Sequence, residues 1–209
     1  MLRLLFLTLF LAWFIPWVLV LQLGFVVYRP YEPNGQDRYW RVAGSWFEDW
    51  ASSNQIPRSC KASLVYQEDR SYYDLYGFDL ENIKRALERN ERRGKIRYGA
   101  STITQQLVKN LFLSRAKSYL RKAREMTGSV LLDATMSKQD QLVWYFNIVE
   151  FGPRLYGIQA AAKAYFGKKP ENLTPSECRI LVSALPSPVR RFRALKPHPQ
   201  PLSSNWRGE

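Results

Sequence analysis

The chain has 209 residues, of which 31 are Lys or Arg and 18 are Asp or Glu, for a formal charge of +13. That length accommodates one membrane anchor and one globular domain with a real core, and excludes two full domains beside an anchor. The charge asks for a polyanionic partner, whether nucleic acid, anionic membrane surface or phosphorylated substrate, and does not choose among them.

Leu4 to Tyr28 carries no charged residue and is rich in Leu, Phe, Val and Trp. It is long enough to cross a bilayer as a helix, longer than a secretory apolar region, and no small-x-small cleavage site closes it. Pro16 would kink such a helix without forbidding it, and Arg3 and Arg29 give no bias in orientation. Residues 31–57 open on Pro33, Asn34, Gly35 and Asp37 and then bring Trp40, Trp46, Phe47 and Trp50 among polar residues. These rings suit a membrane interface or packing against the main domain equally well. Next, the apolar run Leu64-Val65-Tyr66 leads into Gln67-Glu68-Asp69, a position from which acids can reach a cleft.

Leu80 to Arg93 has helical spacing, with Ile83, Ala86, Leu87 and Asn90 on one side and a stop at Gly94. A basic stretch from Arg92 to Arg97 follows and leads to Gly99. Thr102 and Gln105 then have capping-box spacing. Ile103, Leu107 and Leu111 give that helix an apolar seam, while Gln105 with Lys109 and Gln106 with Asn110 form two polar rows. Amides and an ammonium beside a positive helix end suit an anionic or sugar-like ligand, although an ordinary surface helix has the same pattern. Lys117, Arg121 and Glu125 recur four apart, either as a solvated face with an Arg121–Glu125 pair or as cations aimed at a diphosphate. Ser137 and Asp140 start another helix, and Ala160, Ala161 and Ala162 allow close packing, the mark of scaffold. Thr174-Pro175-Ser176-Glu177 is a capping box with Pro at the first helical position, followed by Ile180, Leu181, Ala184 and Leu185 as the buried side, with Pro186 and Pro188 as the stop. From Lys196 the chain is poor in apolar residues and is expected to be poorly ordered.

Cys60 and Cys178 are too few for a disulfide framework and too far apart for a metal knuckle. One long-range disulfide is open to them, but two unpaired buried thiols are the preferred reading. The single histidine, His198, argues against a His-based triad or a His-rich metal site. No nucleotide-binding glycine loop, zinc spacing or internal repeat occurs.

Gly99-x-Ser101-Thr102-Ile103-Thr104-Gln105-Gln106-x-x-Lys109-Asn110 resembles the second signature of the peptidoglycan glycosyltransferases (glycosyltransferase family 51), membrane enzymes that polymerise lipid II. Glu68, Asp69, Tyr72, Gly77 and Asp79 stand in register with the first signature, in which Leu75 replaces a His that could hydrogen-bond. Arg121, Lys122 and Glu125 match the third signature, with Asp133 where members often carry a second Glu. Tyr145 to Gly152 and Tyr156 to Gly167 match the fourth, and the helix after Thr174 resembles the fifth. The resemblance covers about Ser63 to Arg190 and is nearest to the monofunctional biosynthetic members.

The resemblance implies a mainly α, lysozyme-like, two-lobed helical domain preceded by one N-terminal transmembrane helix. The expected units are an anchor at 1–28, a membrane-proximal segment at 29–60, the glycosyltransferase domain at 61–195 and a disordered tail at 196–209. It places the chain in the bacterial inner membrane as a single-pass protein with its catalytic domain on the periplasmic side. Implied partners are lipid II, the nascent glycan strand, membrane lipids, and other cell-wall synthesis and division proteins, with no nucleic acid. Glu68 is the expected base and Glu125 its catalytic companion, also the candidate ligand for a divalent cation, Mg²⁺ or Mn²⁺. Lys109, Lys117 and Arg121 would bind the substrate's diphosphate. Gln105, Gln106, Asn110, Ser101 and Thr102 would contact sugar or peptide groups, or brace the site. Two alternatives stand beside this reading: a weakly active or inactive lipid II-binding scaffold, suggested by Leu75, and a lysozyme-like hydrolase.

Overall fold

Five of the described helices begin where the sequence supplies a side-chain cap. In the computed structural model, which describes residues 50–94, 100–113, 118–153 and 155–195, Asp79, Thr102, Ser118, Ser137 and Thr174 each accept a backbone N–H three residues on. Each bond satisfies an otherwise orphaned donor of the first turn. Both predicted capping boxes are complete, Thr102 with Gln105 and Thr174 with Glu177.

The described elements are α1 (Arg58–Glu68), α2 (Leu80–Arg92), α3 (Ile103–Phe112), α4 (Tyr119–Thr135), α5 (Lys138–Ile148), β1 (Glu150–Gly152), β2 (Leu155–Tyr156), α6 (Ile158–Phe166), α7 (Pro175–Ala184) and α8 (Pro188–Leu195). The domain is thus mainly helical, as expected. Its one described sheet, which the sequence reading did not anticipate, is an antiparallel pair in which Glu150 faces Tyr156 and Gly152 faces Leu155. Gly157 closes this pair at φ +80°, and a Cβ there would lie 2.8 Å from the Asn147 carbonyl oxygen, so only glycine fits. Pro188 starts α8 instead of merely ending α7, because a ring with no N–H is tolerated at the first helical position.

The core is built by α1, α3, α5, α6 and α7. α1 packs on α7, α3 on α4 and α5, and α6 on α5 and α7. Leu64, Ile103, Leu107, Leu142, Phe146, Phe151, Ile158, Leu181 and Val182 are fully buried together. Ala161 and Ala162 are also fully buried, which lets α6 approach its neighbours closely, as the alanine run predicts. On α7 the buried side is Cys178, Leu181, Val182 and Ala184; Ile180 and Leu185, assigned to it from the sequence, are only half-buried.

The cysteine reading is corrected: Cys60 and Cys178 form a disulfide that ties α1 to α7 across 118 residues. Sequence spacing cannot show this, because only the α1–α7 packing brings the two Cα atoms to 4.6 Å. Ala51 and Ile56 are buried in the same core, and the backbone of Ala51 exchanges hydrogen bonds with the Asn147 amide at 2.8 and 2.9 Å. Residues before 61 therefore contribute to the same packed core. Trp50 meets Trp144 edge-on at 4.9 Å, which is the packing alternative for that ring. The anchor segment, Trp40, Trp46, Phe47, the basic residues Lys95 to Arg97, Lys117 and the tail from Lys196 lie outside the described residues. Among the described residues, no helix is long and apolar enough to cross a membrane.

Candidate active site

Glu68 is the last residue of α1, where the helix ends and the side chain turns from the core toward α3. Its Oε2 accepts a hydrogen bond of 3.0 Å from Gln106 Nε2, and Gln106 Oε1 accepts one of 2.8 Å from the Tyr145 hydroxyl. Tyr145 cannot readily ionise, because burial first and the Glu68 charge second push its hydroxyl far above the ordinary tyrosine range. It is a fixed donor, and it sets which end of the Gln106 amide faces Glu68.

The next residue, Asp69, caps the end of α1 and accepts the first N–H of α3, from Ile103, at 3.1 Å. Burial raises its carboxyl above the usual range, an effect opposed by that N–H and by Lys138. Thr102 adds a second tie by donating to the Gly77 carbonyl at 2.8 Å. Gly77 itself sits at φ +75° with a Cβ position only 2.8 Å from Val130 Cγ2, so any side chain would collide with α4. Its N–H is held by Asp133, whose carboxylate also accepts from Lys138 at 2.8 Å and Gln141 at 2.6 Å. Asp133 is thus the hub that joins the Gly77 loop, α4 and α5. Tyr72, in the register of a family Phe, uses its hydroxyl in the same region, donating to the Lys138 carbonyl at 2.9 Å.

The cations come from α3 and α4. Glu125 is only 2% exposed and is clamped by Arg121 at 2.7 Å and by Lys122, while Ser101 bridges, accepting from Lys122 at 2.9 Å and reaching Glu125 at 3.4 Å. The Lys109 ammonium lies in the fields of both carboxylates. Burial lowers it below its ordinary 10.5, Glu125 and Glu68 pull it back up, and Arg121 and Lys122 press it further down. Glu68, through Gln106, and the Arg121–Lys122–Glu125 cluster, through Ser101, both meet the segment Ser101–Asn110 that carries Lys109.

Of the two roles open to the polar residues of this segment, ligand contact or bracing, Thr102 and Gln105 take the second. Thr102 and Gln105 are 5% and 0% exposed because the capping box folds their side chains back onto the backbone, so they brace the helix and do not face a ligand. Ser101, Gln106 and Lys109 are half-buried at the site, and Asn110 is half-buried on the same helix. Leu75 is half-buried as well, and the hydrogen bond to Glu68 comes from Gln106. Lys122, which the sequence reading places in the third signature but not among the diphosphate-binding cations, stands three residues before Glu125, a spacing that predicts the contact. Tyr145 had no comparable local signal, since its partner Gln106 is 39 residues away, and the bond from Asp133 to the Gly77 N–H spans 56 residues.

The donor set also bears on a resident metal. Both Glu125 oxygens are engaged by Arg121, Lys122 and Ser101, and the described residues contain no group of three or more His, Cys, Asp or Glu suited to an ion. Hard divalent cations take oxygen ligands. These residues do not form a protein-built site for Mg²⁺ or Mn²⁺.

Residues 41–204 match the sequence model of the family described as Transglycosylase. Three relatives carry the name biosynthetic peptidoglycan transglycosylase. The one from Azoarcus sp. (strain BH72) is 43% identical over 148 residues, 71% of this chain and 64% of that protein. The one from Pseudomonas aeruginosa is 40% identical over 167 residues, 76% and 71% of the two chains. The one from Aeromonas hydrophila is 41% identical over 151 residues, 72% and 63%. The chain thus covers less than two thirds of the Azoarcus and Aeromonas proteins. With its signatures gathered around Glu68 and Lys109, and with the family match spanning most of its length, the chain belongs to the transglycosylase family.

Proposed function

We propose that this protein is a peptidoglycan glycosyltransferase that polymerises lipid II into glycan strands and releases undecaprenyl diphosphate. The observation that carries this reading is the buried Arg121–Glu125–Lys122 ion cluster, which reaches Ser101 just before α3, the same helix whose Gln106 holds Glu68 and which carries Lys109. A sugar hydroxyl is a weak nucleophile. Glu68 takes the proton from the acceptor's 4-hydroxyl as that oxygen bonds to C1 of the donor sugar, a contribution of about 10²–10⁴-fold. The bond from C1 to the phosphate oxygen breaks at the same centre, and the electron pair leaves with the diphosphate. That leaving group departs as an anion, so it needs fixed positive charge where a glycosidase needs a protonated acid. Lys109, Arg121 and Lys122 supply the charge, together with Lys117, and Glu125 holds Arg121 and Lys122 in place. Gln106, steadied by Tyr145, aims Glu68; Ser101 and Asn110 serve the sugar or its phosphates. Mg²⁺ or Mn²⁺, in this reading, arrives with the diphosphate and is not a resident of the protein.

The reading extends to place and shape. The uncharged run from Leu4 to Tyr28 anchors the chain in the inner membrane by a single pass, with a lysozyme-like, two-lobed domain on the periplasmic side. The Cys60–Cys178 disulfide supports that side, since such bonds persist in oxidising compartments. Its partners there are lipid II, the growing strand, membrane lipids and other proteins of wall synthesis and division. The test is polymerisation of labelled lipid II in detergent. Glu68→Gln should lower the rate by about 10²–10⁴-fold while leaving lipid II bound. An unchanged rate removes Glu68 from the chemistry and the proposal with it.

A further inference from the structure

A groove of about 1110 Å³ runs along α1, and Glu68 is not among its walls. Its lining includes Arg58, Lys61, Arg70, Tyr66, Tyr73 and Gln139, and no Asp or Glu. None of the three cations has a carboxylate partner among the described residues. Burial and then the charge of Arg58 hold the Lys61 ammonium below its ordinary 10.5, as expected of two cations crowded without an anion between them.

The groove is also preorganised. Tyr66 and Tyr73 are 68% and 53% exposed, yet neither ring is loose. The Arg70 guanidinium lies 4.4 Å from the centre of the Tyr66 ring and its Nε donates to the Tyr66 carbonyl at 3.3 Å, which leaves its terminal NH₂ groups for a ligand. The Tyr73 hydroxyl accepts from Gln139 at 3.3 Å while its ring meets Tyr72 edge-on at 5.2 Å. Lys61 is pinned by two hydrogen bonds of 2.9 Å to Ser53, and an ammonium has a third donor to offer. Side chains already immobilised lose less entropy when they bind.

We propose that this groove is a second saccharide site, which holds an acidic glycan strand by stacking sugar rings on Tyr66 and Tyr73 and pairing carboxylates with Arg58, Lys61 and Arg70. Exposed rings interleaved with amides and cations fit a ligand that has apolar ring faces, hydroxyls and negative charge together. A concave wall suits a strand better than a flat lipid surface. From Arg58 to Tyr66 the floor rises on the order of 12 Å along the helix, enough for a short stretch of strand. Its Arg70 end lies just past Glu68 in the chain, so a strand leaving the base could continue onto α1. The inference rests on the proposed polymerase reading, which supplies the strand.

The test uses the full chain in detergent, with fluorescent glycan strands bearing their peptide stems as the probe and Glu68→Gln as the background. Joint replacement Arg58→Ser with Arg70→Ser should weaken strand binding by about tenfold or more, and Tyr73→Ala by several-fold. Strands whose carboxylates are amidated should also bind about tenfold more weakly to the unsubstituted groove. With Glu68 intact, the same double variant should form the first glycosidic bond at an unchanged rate but release shorter strands. Strand affinity that ignores the double replacement overturns the inference, and so does a loss confined to phosphatidylglycerol vesicles, which would assign the groove to the membrane. A chain that binds strands through the groove yet never polymerises lipid II would leave the groove standing and sink the proposed function.

Discussion

The two halves of the molecule bury opposite chemistry. α6 and α7 bury Ile158, Ala161, Ala162, Tyr165, Cys178, Leu181, Val182 and Ala184, an almost wholly apolar set. α4, which is longer, buries only Glu125, Gly128 and Ser129, and the facing parts of α3 with its cap and of α5 bury Thr102, Thr104, Gln105 and Gln141 beside their apolar residues. Apolar burial stabilises without direction, at about 25 cal/mol per Å² removed from water, whereas a buried ion pair recovers its desolvation cost only when its geometry is held. One half therefore supplies stability and the other spends part of it on fixed charge. The Asp133 hub joins α4 to α5 and the Asp69–Ile103 bond joins α1 to α3, and α5 and α1 in turn pack on α6 and α7, so that the charged groups sit on the apolar half as a support.

The largest expected effect separates the halves by assay. Glu68→Gln should cost about 10²–10⁴-fold in polymerisation while the melting temperature hardly moves, since Glu68 is half-buried at a helix end. If unfolding follows the activity loss, the division is wrong. Next, replacing both Cys60 and Cys178 by Ala opens a loop of 118 residues and should remove about 4–5 kcal/mol of stability, read as a lower melting temperature. The folded fraction should keep its specific activity at low temperature.

Lys109 sharpens the contrast, because there the two demands conflict. Its folded-state pKa is lowered, so between that value and the ordinary 10.5 the unfolded chain binds the extra proton. Stability contributed by this group therefore rises with pH across that window, and below it the charged lysine works against folding. Lys109→Met should lower polymerisation by about 10²–10³-fold, the scale of one preorganised charge donor, and yet raise the melting temperature at neutral pH. The rate itself should fall on an alkaline limb below 10.5, and Lys109→Arg should move that limb upward. The smallest effect is that of Tyr145→Phe. Loss of one hydrogen bond of about 0.5–1.5 kcal/mol frees the Gln106 amide to turn and should slow polymerisation about two- to tenfold without changing lipid II affinity.

Local signals made much of this legible in advance. Thr102 with Gln105 and Thr174 with Glu177 announce their helices because a cap and its partner are three residues apart. Arg121 and Glu125 announce their pair for the same reason. The groove beneath Tyr66 and Tyr73 gave no such notice, since its walls come from the residues before α1, from α1 itself, from Arg70 and Tyr73 after it, and from Gln139 at the start of α5.

The sequence by itself determined that helices run from Leu80 and after Thr102, Ser137 and Thr174, and that acids and cations of the right kinds stand in the signatures, because caps, periodicity and spacing act over a few residues. Only the tertiary structure decided that Cys60 meets Cys178, that Tyr145 steers Gln106 onto Glu68, that Gln105 is a buried brace, and that Lys109 feels both carboxylates. Those outcomes depend on distances between residues far apart in the chain. Such distances are fixed by how the apolar faces of α1, α3, α5, α6 and α7 close on one another.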